Sequence, residues 1–337
     1  MTNPQLPPFI LALQQTTAYP YPVSTVKLIQ THISYVLLAG DYVYKIKKPV
    51  NFGFLDFTSL DKRKYFCDEE LRLNRRLCPS LYLEVLPITQ EGDTISLNGS
   101  GRVIEFCVKM ARMPEEKMMG SLIKEGRLTA AMLDGIVDLL VPFYQQAEGG
   151  PEIKGFGSAQ SVGINVLENF DQTKNFIGCP ALSQGQFDTI SGYASKFMSQ
   201  PELFQQRLDA AKIRDCHGDL YSANICLSDQ IFIYDCIEFN QRFRYCDVAS
   251  DVAFLAMDLD FHNLSDLSRH FISTFISRAK DPGLTKMLNF YKCYRAYVRG
   301  KIGLFTAHAP EVDTTTQATC LQQAKRYFEL AVAYAEA

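Results

Sequence analysis

The sequence predicts an α+β chain in which a small β-rich lobe precedes a larger, mainly helical one. Two observations carry this. Strand-like runs crowd the first third, and long helical segments fill the remainder, with Met113-Pro114 breaking the pattern between them. The expected lobes are therefore residues 1–113 and 114–337. The chain has 337 residues, 47% hydrophobic and 21% charged, which is ample apolar material for a core. A formal net charge of -3 predicts no broad attraction to nucleic acid or to anionic membranes.

The elements follow in order. Val26–Gln30, Tyr35–Ala39 and Tyr42–Lys47 read as three short strands, the last two joined by a tight turn at Ala39-Gly40-Asp41. Ser59 opens a helix expected to run to about Cys78, where Pro79 stops it. Leu81–Ile88 and Arg102–Met110 are two further strands around a polar turn, EGDTISLNGSG, making five strands and one helix in all. Beyond Pro114, Ala130–Gln146 and at least one segment within Gly185–Ala211 are helical. GGPEIKGFGSAQSVG between them reads as an ordered loop or partial linker. Ile225–Leu227 and Ile231–Tyr234 form a hairpin, and helices occupy the rest.

Several classes are set aside. MTNPQLPPFILALQQTTAYPYP lacks the basic and apolar regions of a signal peptide, and no run approaches the length of a membrane helix. The ten cysteines include Cys216, Cys226, Cys236 and Cys246 at a regular interval, but no close C-x2-C pair of the zinc-binding kind occurs. They are expected to be small buried hydrophobes in a reducing compartment, the cytoplasm.

The residues that carry chemistry begin at His217-Gly218-Asp219-Leu220-Tyr221-Ser222-Ala223-Asn224. Its spacing matches the H-R-D-x4-N catalytic loop of kinases. In such a loop the Asp carboxylate faces an attacking hydroxyl while the Asn amide oxygen reaches a metal on the phosphates. Asp235 follows the apolar run IFIY, where a hard oxygen ligand for magnesium is needed. Glu238, three residues on, is a second or water-mediated ligand, or a solvated or capping carboxylate. Val43-Tyr44-Lys45 resembles the V-A-x-K of kinases, whose lysine contacts nucleotide phosphates. Lys47 shares its strand face, so either lysine could serve, with Lys45 preferred. On the Ser59–Cys78 helix, Glu70 lies on the apolar face of Phe66, Leu73 and Leu77, a costly placement unless it is paired. Pairing with Lys45 would explain it.

HGDLYSANI resembles the catalytic loop of the aminoglycoside phosphotransferase-like enzymes, a branch of the protein-kinase-like superfamily, with Gly218 where protein kinases carry Arg. YVYKIKKPVNFGFLDF, CDEELRLNRRLCPSLYL and YDCIEFNQRFRYCDVASDVAFLAMDL are similar to a bacterial group of that family, over roughly residues 24–305. Some of its members carry a fused P-loop ATPase domain, and no G-x4-G-K-[ST] occurs here. The resemblance implies a protein-kinase-like two-lobed fold that uses ATP and Mg2+ to phosphorylate a hydroxyl. Asp219 would be the base, Asn224 and Asp235 the metal ligands, and Lys45 with Glu70 the phosphate-positioning pair. Lys109–Pro114, with Met110, Ala111 and Arg112 at its centre, would be the hinge whose backbone meets adenine. Asp247 and Asp251 would order the catalytic loop. The turn Thr31-His32-Ile33-Ser34 lacks the glycines of the protein-kinase phosphate loop, so Ser34, Thr31 and backbone amides would substitute there.

The acceptor is expected to be a small molecule with a hydroxyl group, aminoglycoside-like or a sugar or anionic metabolite. A protein partner stays open. Between Asp281 and Glu311 there is no acid but five bases: Lys286, Lys292, Arg295, Arg299 and Lys301. Arg295 and Arg299, one helical turn apart, either meet an anionic substrate or form a solvated or paired helix face. Asp258 and Asp260 keep a cationic substrate in play. Two other classes remain, a pseudokinase-like regulatory module that holds nucleotide without turnover, and nucleotidylation of a protein side chain on the same fold.

Overall fold

Alternation along six short strands builds an antiparallel sheet whose two faces are covered differently. The computed structural model describes residues 6–309 and 312–337. Residues 1–5, part of the segment read above for a signal peptide, and 310–311, including Glu311, lie outside the described residues. The chain divides into two compact units, one of residues 1–121 and 225–241, the other of residues 122–224 and 242–337.

In the first unit the strands are β1 (Val26–Gln30), β2 (Ser34–Ala39), β3 (Tyr42–Lys47), β4 (Tyr82–Glu91), β5 (Thr94–Leu97) and β6 (Arg102–Ala111), in sheet order β1-β2-β3-β6-β4-β5. The sheet thus has six strands where five were expected. The extra one, β5, lies inside the stretch read as a polar turn, and it pairs Ile88 with Leu97 through Glu91 with Thr94. Gly92, at φ +58, makes the reversal between β4 and β5. The unit also holds a second helix. Pro8–Leu13 forms α1, and α2 runs Leu60–Asn74, its first turn capped by the Ser59 hydroxyl accepting from the Lys62 amide. α2 ends four residues before the expected Cys78, because the amides of Leu77 and Cys78 both turn back to the Asn74 carbonyl.

Period-two alternation sorts the core. Tyr44 and Ile46 of β3, with Leu37, Ala39, Ile88 and Cys107, pack under Ile10 and Leu13 of α1. The opposite face, with Val108 and Met110 of β6, packs under Cys67 of α2. Lys45 and Lys47 alternate with Tyr44 and Ile46, so β3 presents both lysines to the α2 side. The hairpin Ile225–Leu227 with Ile231–Ile233 belongs to this unit.

The second unit is helical. Thr129 caps the expected helix Ala130–Gln146. The segment read as a loop or partial linker is ordered into helix Pro151–Lys154, a 3-10 turn at Gly155–Gly157 and the start of helix Ala159–Thr173. Pro151 at the first helical position and Ser158 as N-cap account for this despite the glycines. Helices Gln184–Met198, Pro201–Asp209, Val248–Phe261, Ser265–Ala279, Leu284–Ala307 and Thr314–Glu336 follow. Among the described residues no helix is long and apolar enough to cross a membrane. The cysteines carry free thiols, seven of them buried.

Candidate active site

In the first unit a carboxylate on α2 sits between two lysines of β3. Glu70 is fully buried; one of its oxygens is 2.8 Å from Lys45 Nζ and the other 2.7 Å from Lys47 Nζ. Both lysines of the shared strand face therefore meet Glu70. Lys45 continues to Asp235, and Lys47, itself buried, continues to the buried carboxylate of Glu238. The result is a chain of alternating charge, Asp235–Lys45–Glu70–Lys47–Glu238.

Burial pushes the Glu70 carboxyl up, but the two ammonium groups outweigh it and hold it down at about 2. Burial likewise works against the Lys45 charge, and Asp235 and Glu70 more than restore it. Glu238 goes the other way. Its burial, with Glu70 nearby, outweighs Lys47 and raises its carboxyl. Three carboxylates face two ammonium groups, and the surplus acid falls at Glu238 and Asp235.

The segment carrying Asp235 is held by its backbone. Asp235 adopts a left-handed φ of +62, and its amide donates to the Tyr82 hydroxyl at 3.3 Å. The Cys236 amide donates to Asn74 Oδ1 at 2.9 Å, and Asn74 Nδ2 donates to the Glu70 carbonyl. Asn74, one turn beyond Glu70, thus ties the strand-exit acid to α2. The Asp235 side chain is 42% exposed, so its carboxylate reaches solvent from this fixed backbone.

The remaining candidates of this unit are less open. Ser34 is fully buried across from Lys47 on β2, and its hydroxyl makes no hydrogen bond among the described residues. Met110 is buried in β6. The Ala111 and Arg112 amides already donate to the Leu81 and Asp41 carbonyls, so a base there would meet carbonyls or side chains.

In the second unit the loop His217–Asn224 is ordered by side chains from helix Val248–Phe261. Asp251, fully buried, accepts the His217 and Gly218 amides, and the Tyr144 hydroxyl donates to it as well. Asp258 accepts the Ser222 amide at 3.0 Å. Gly218 takes φ +88, a conformation glycine allows. Arg295 Nη1 donates to the Gly218 carbonyl at 2.9 Å. Within the loop, Asn224 Nδ2 donates to both the carbonyl and Oδ2 of Asp219, each at 3.0 Å. The Asn224 amide oxygen accepts no hydrogen bond among the described residues.

Asp251 orders the loop as expected of it. Among the described residues Asp247 makes no hydrogen bond or ion pair to the loop; it caps helix Val248–Phe261 and pairs with Arg207. Sequence reasoning missed the depth of Lys47 and the inward course of Arg295. The repeated polar residues on apolar faces were the available signal. Asp258 and Asp260, weighed above as a lure for a cationic acceptor, are engaged internally, Asp260 with Lys292 and the Tyr334 hydroxyl.

As donors, the Asp235 carboxylate and the Asn224 amide oxygen are hard oxygen ligands of the kind magnesium takes alongside phosphate oxygens. Among the described residues no three His, Cys, Asp or Glu side chains cluster to hold a metal by themselves. Each of the two, taken by itself, is a donor of the oxygen type that magnesium prefers.

No family model matches the chain. Uncharacterized proteins of Mycobacterium tuberculosis and Mycobacterium bovis are 32% identical over 275 residues, which cover 81% of this chain and 53% of theirs. The chain spans about half the length of these curated relatives. A choline/ethanolamine kinase family protein from Mesorhizobium loti superposes with a TM-score of 0.50 at 13% identity, covering 93% of this chain and 92% of its own. A glucosamine kinase in complex with glucosamine, ADP and inorganic phosphate gives 0.50 at 12% identity, covering 94% and 80%. An amicoumacin kinase in complex with AMP-PNP, Ca2+ and Ami gives 0.50 at 11%, covering 90% and 88%. An antiparallel sheet unit and a helical unit in this order give the chain the protein-kinase-like fold of these small-molecule kinases.

Proposed function

We propose that the chain is an ATP- and magnesium-dependent phosphotransferase that moves the γ-phosphoryl group to a hydroxyl of a small molecule. The observation that carries this reading is Lys45, paired at once with the buried Glu70 and with the half-exposed Asp235. A kinase needs that triangle to seat phosphates and their metal. The nucleotides and the divalent cation bound in the glucosamine and amicoumacin kinase structures support the same use here.

In this reading residues 1–113 hold nucleotide and 114–337 carry catalysis and the acceptor. Lys45 contacts the phosphates, and Glu70 keeps its ammonium aimed. Asp235 and Asn224 supply oxygen ligands to the metal. Glu238, expected as a second or water-mediated metal ligand, is instead buried on Lys47 and holds that lysine in place. The Met110–Arg112 strand end lies against the base. Asp219 orients the acceptor hydroxyl and takes its proton as the acceptor oxygen bonds to the γ-phosphorus and the bond to the ADP oxygen breaks. Magnesium, bound with the nucleotide, neutralises charge on the phosphate oxygens.

Calorimetric titration of ATP with and without magnesium, on the wild type and on Asp235→Ala, tests the reading. Magnesium-dependent binding that disappears in the variant is expected. ATP binding that is absent under every condition would overturn it and turn attention to the regulatory-module class.

A further inference from the structure

We infer that Arg299 is the recognition residue for an oxyanion on the acceptor, so that the hydroxyl compound phosphorylated here already bears a phosphate or carboxylate group. This rests on the phosphotransferase reading and specifies its substrate class.

The arginines of the helical unit show how Arg299 differs. Arg207 pairs with Asp247 and Asp281, Arg244 with Asp215, and Arg242 with Glu168. Arg295, one turn before Arg299 on helix Leu284–Ala307, gives its donors to the Gly218 and Ser250 carbonyls. Arg299 has no ion pair among the described residues, and its Nε is buried without a hydrogen-bond partner. Its guanidinium lies 4.7 Å over the Tyr221 ring and 5.8 Å from that of Tyr327. The Tyr327 hydroxyl takes one of its donors, and the aromatic faces steady the guanidinium without satisfying the others.

Its place matters as much as its vacancy of charge partners. Tyr221 stands two residues after Asp219 in the same loop, and its ring stacks on Phe254 at 5.4 Å and 12°. Burial works against the Arg299 charge, yet Tyr221, Tyr327 and Asp219 keep it above its ordinary value, so Asp219 lies within reach of its field. A planar fork of donors, fixed by rings beside the proposed base and lacking a carboxylate, is built for bidentate capture of an oxyanion. The acids that would draw a cationic acceptor instead are committed, Asp258 to the Ser222 amide and Asp260 to Lys292.

The test begins without turnover. The full chain is labelled with 15N-arginine, and the Arg299 Nε–H signal is assigned by its loss in Arg299→Lys. Inorganic phosphate and acetate are titrated separately. A saturating shift at Arg299, with Arg242 unmoved, is expected, and the anion that saturates first names the group. Hydroxyl compounds bearing that group, and the same skeletons neutral or aminated, are then compared by ADP release. Arg299→Gln should raise KM for the anionic acceptor by about tenfold or more with kcat little changed, and Arg299→Lys should recover part of it. An Arg299 signal that neither anion moves would overturn the inference, as would aminated acceptors turned over equally by Arg299→Gln. Loss of magnesium-ATP binding alongside a responsive Arg299 would sink the phosphotransferase reading alone.

Discussion

Asp251 accepts the amides of His217 and Gly218 on separate carboxylate oxygens, at 2.7 and 2.8 Å. The loop bearing Asp219 is thereby fixed by one buried carboxylate on the following helix. Asp251→Asn exchanges one acceptor oxygen for a donor that faces an amide. The expected outcome is a loss of about 2 kcal/mol or more of stability, read by urea denaturation, since a buried amide loses its acceptor. An unchanged midpoint would show that the loop does not depend on this contact.

Asp219→Asn keeps the side-chain shape but removes the proton acceptor. Turnover should fall by roughly 10²–10⁴ while magnesium-ATP binding is retained. Wild-type turnover in the variant would remove Asp219 from the role of base.

Lys47 separates Glu70 from Glu238. Lys47→Met leaves two buried carboxylates close together and should cost about 3–5 kcal/mol. Adding Glu238→Gln should restore part of the loss, because one of the stranded charges goes with it. Additive effects in the double variant, measured by denaturation, would mean that the two residues do not interact.

Lys301 offers a pH signature. Burial lowers its ammonium from the ordinary 10.5 to about 8, and Glu168 only partly opposes this. Between these values the unfolded chain holds a proton that the folded chain has released, so stability rises with pH across the window. Below pH 8 both states are charged and the full cost stands. Lys301→Met should therefore be more stable than wild type at pH 7, by about 2 kcal/mol after loss of the bond to Gln172. That advantage should shrink from pH 8 to 10.5. A difference constant with pH would place the effect in packing.

How far the sequence speaks depends on the range of the interaction. β3, the hairpin Ile225–Leu227 with Ile231–Ile233 and the loop His217–Asn224 were legible because alternation, turn residues and motif spacing are local. β5 was not, since four residues inside a polar run give little periodicity. The Glu70–Lys45 pair was legible from one carboxylate on an apolar helix face. The depth of Lys47 was not, because its second partner lies 191 residues away. Arg295 and Arg299 were read as one basic face, yet the fold gives Arg295 to the Gly218 carbonyl and leaves Arg299 between rings.

The hairpin segment 225–241 returns to the sheet unit from between two halves of the helical one. No single cut therefore yields either unit intact. A fragment ending at residue 121 would carry Lys45, Lys47 and Glu70 but neither Asp235 nor Glu238. During synthesis the two lysines emerge more than a hundred residues before those acids, so the sheet unit waits on distant chain for its charge balance. Recombination faces the same geometry, since exchanging this unit between relatives requires three crossovers.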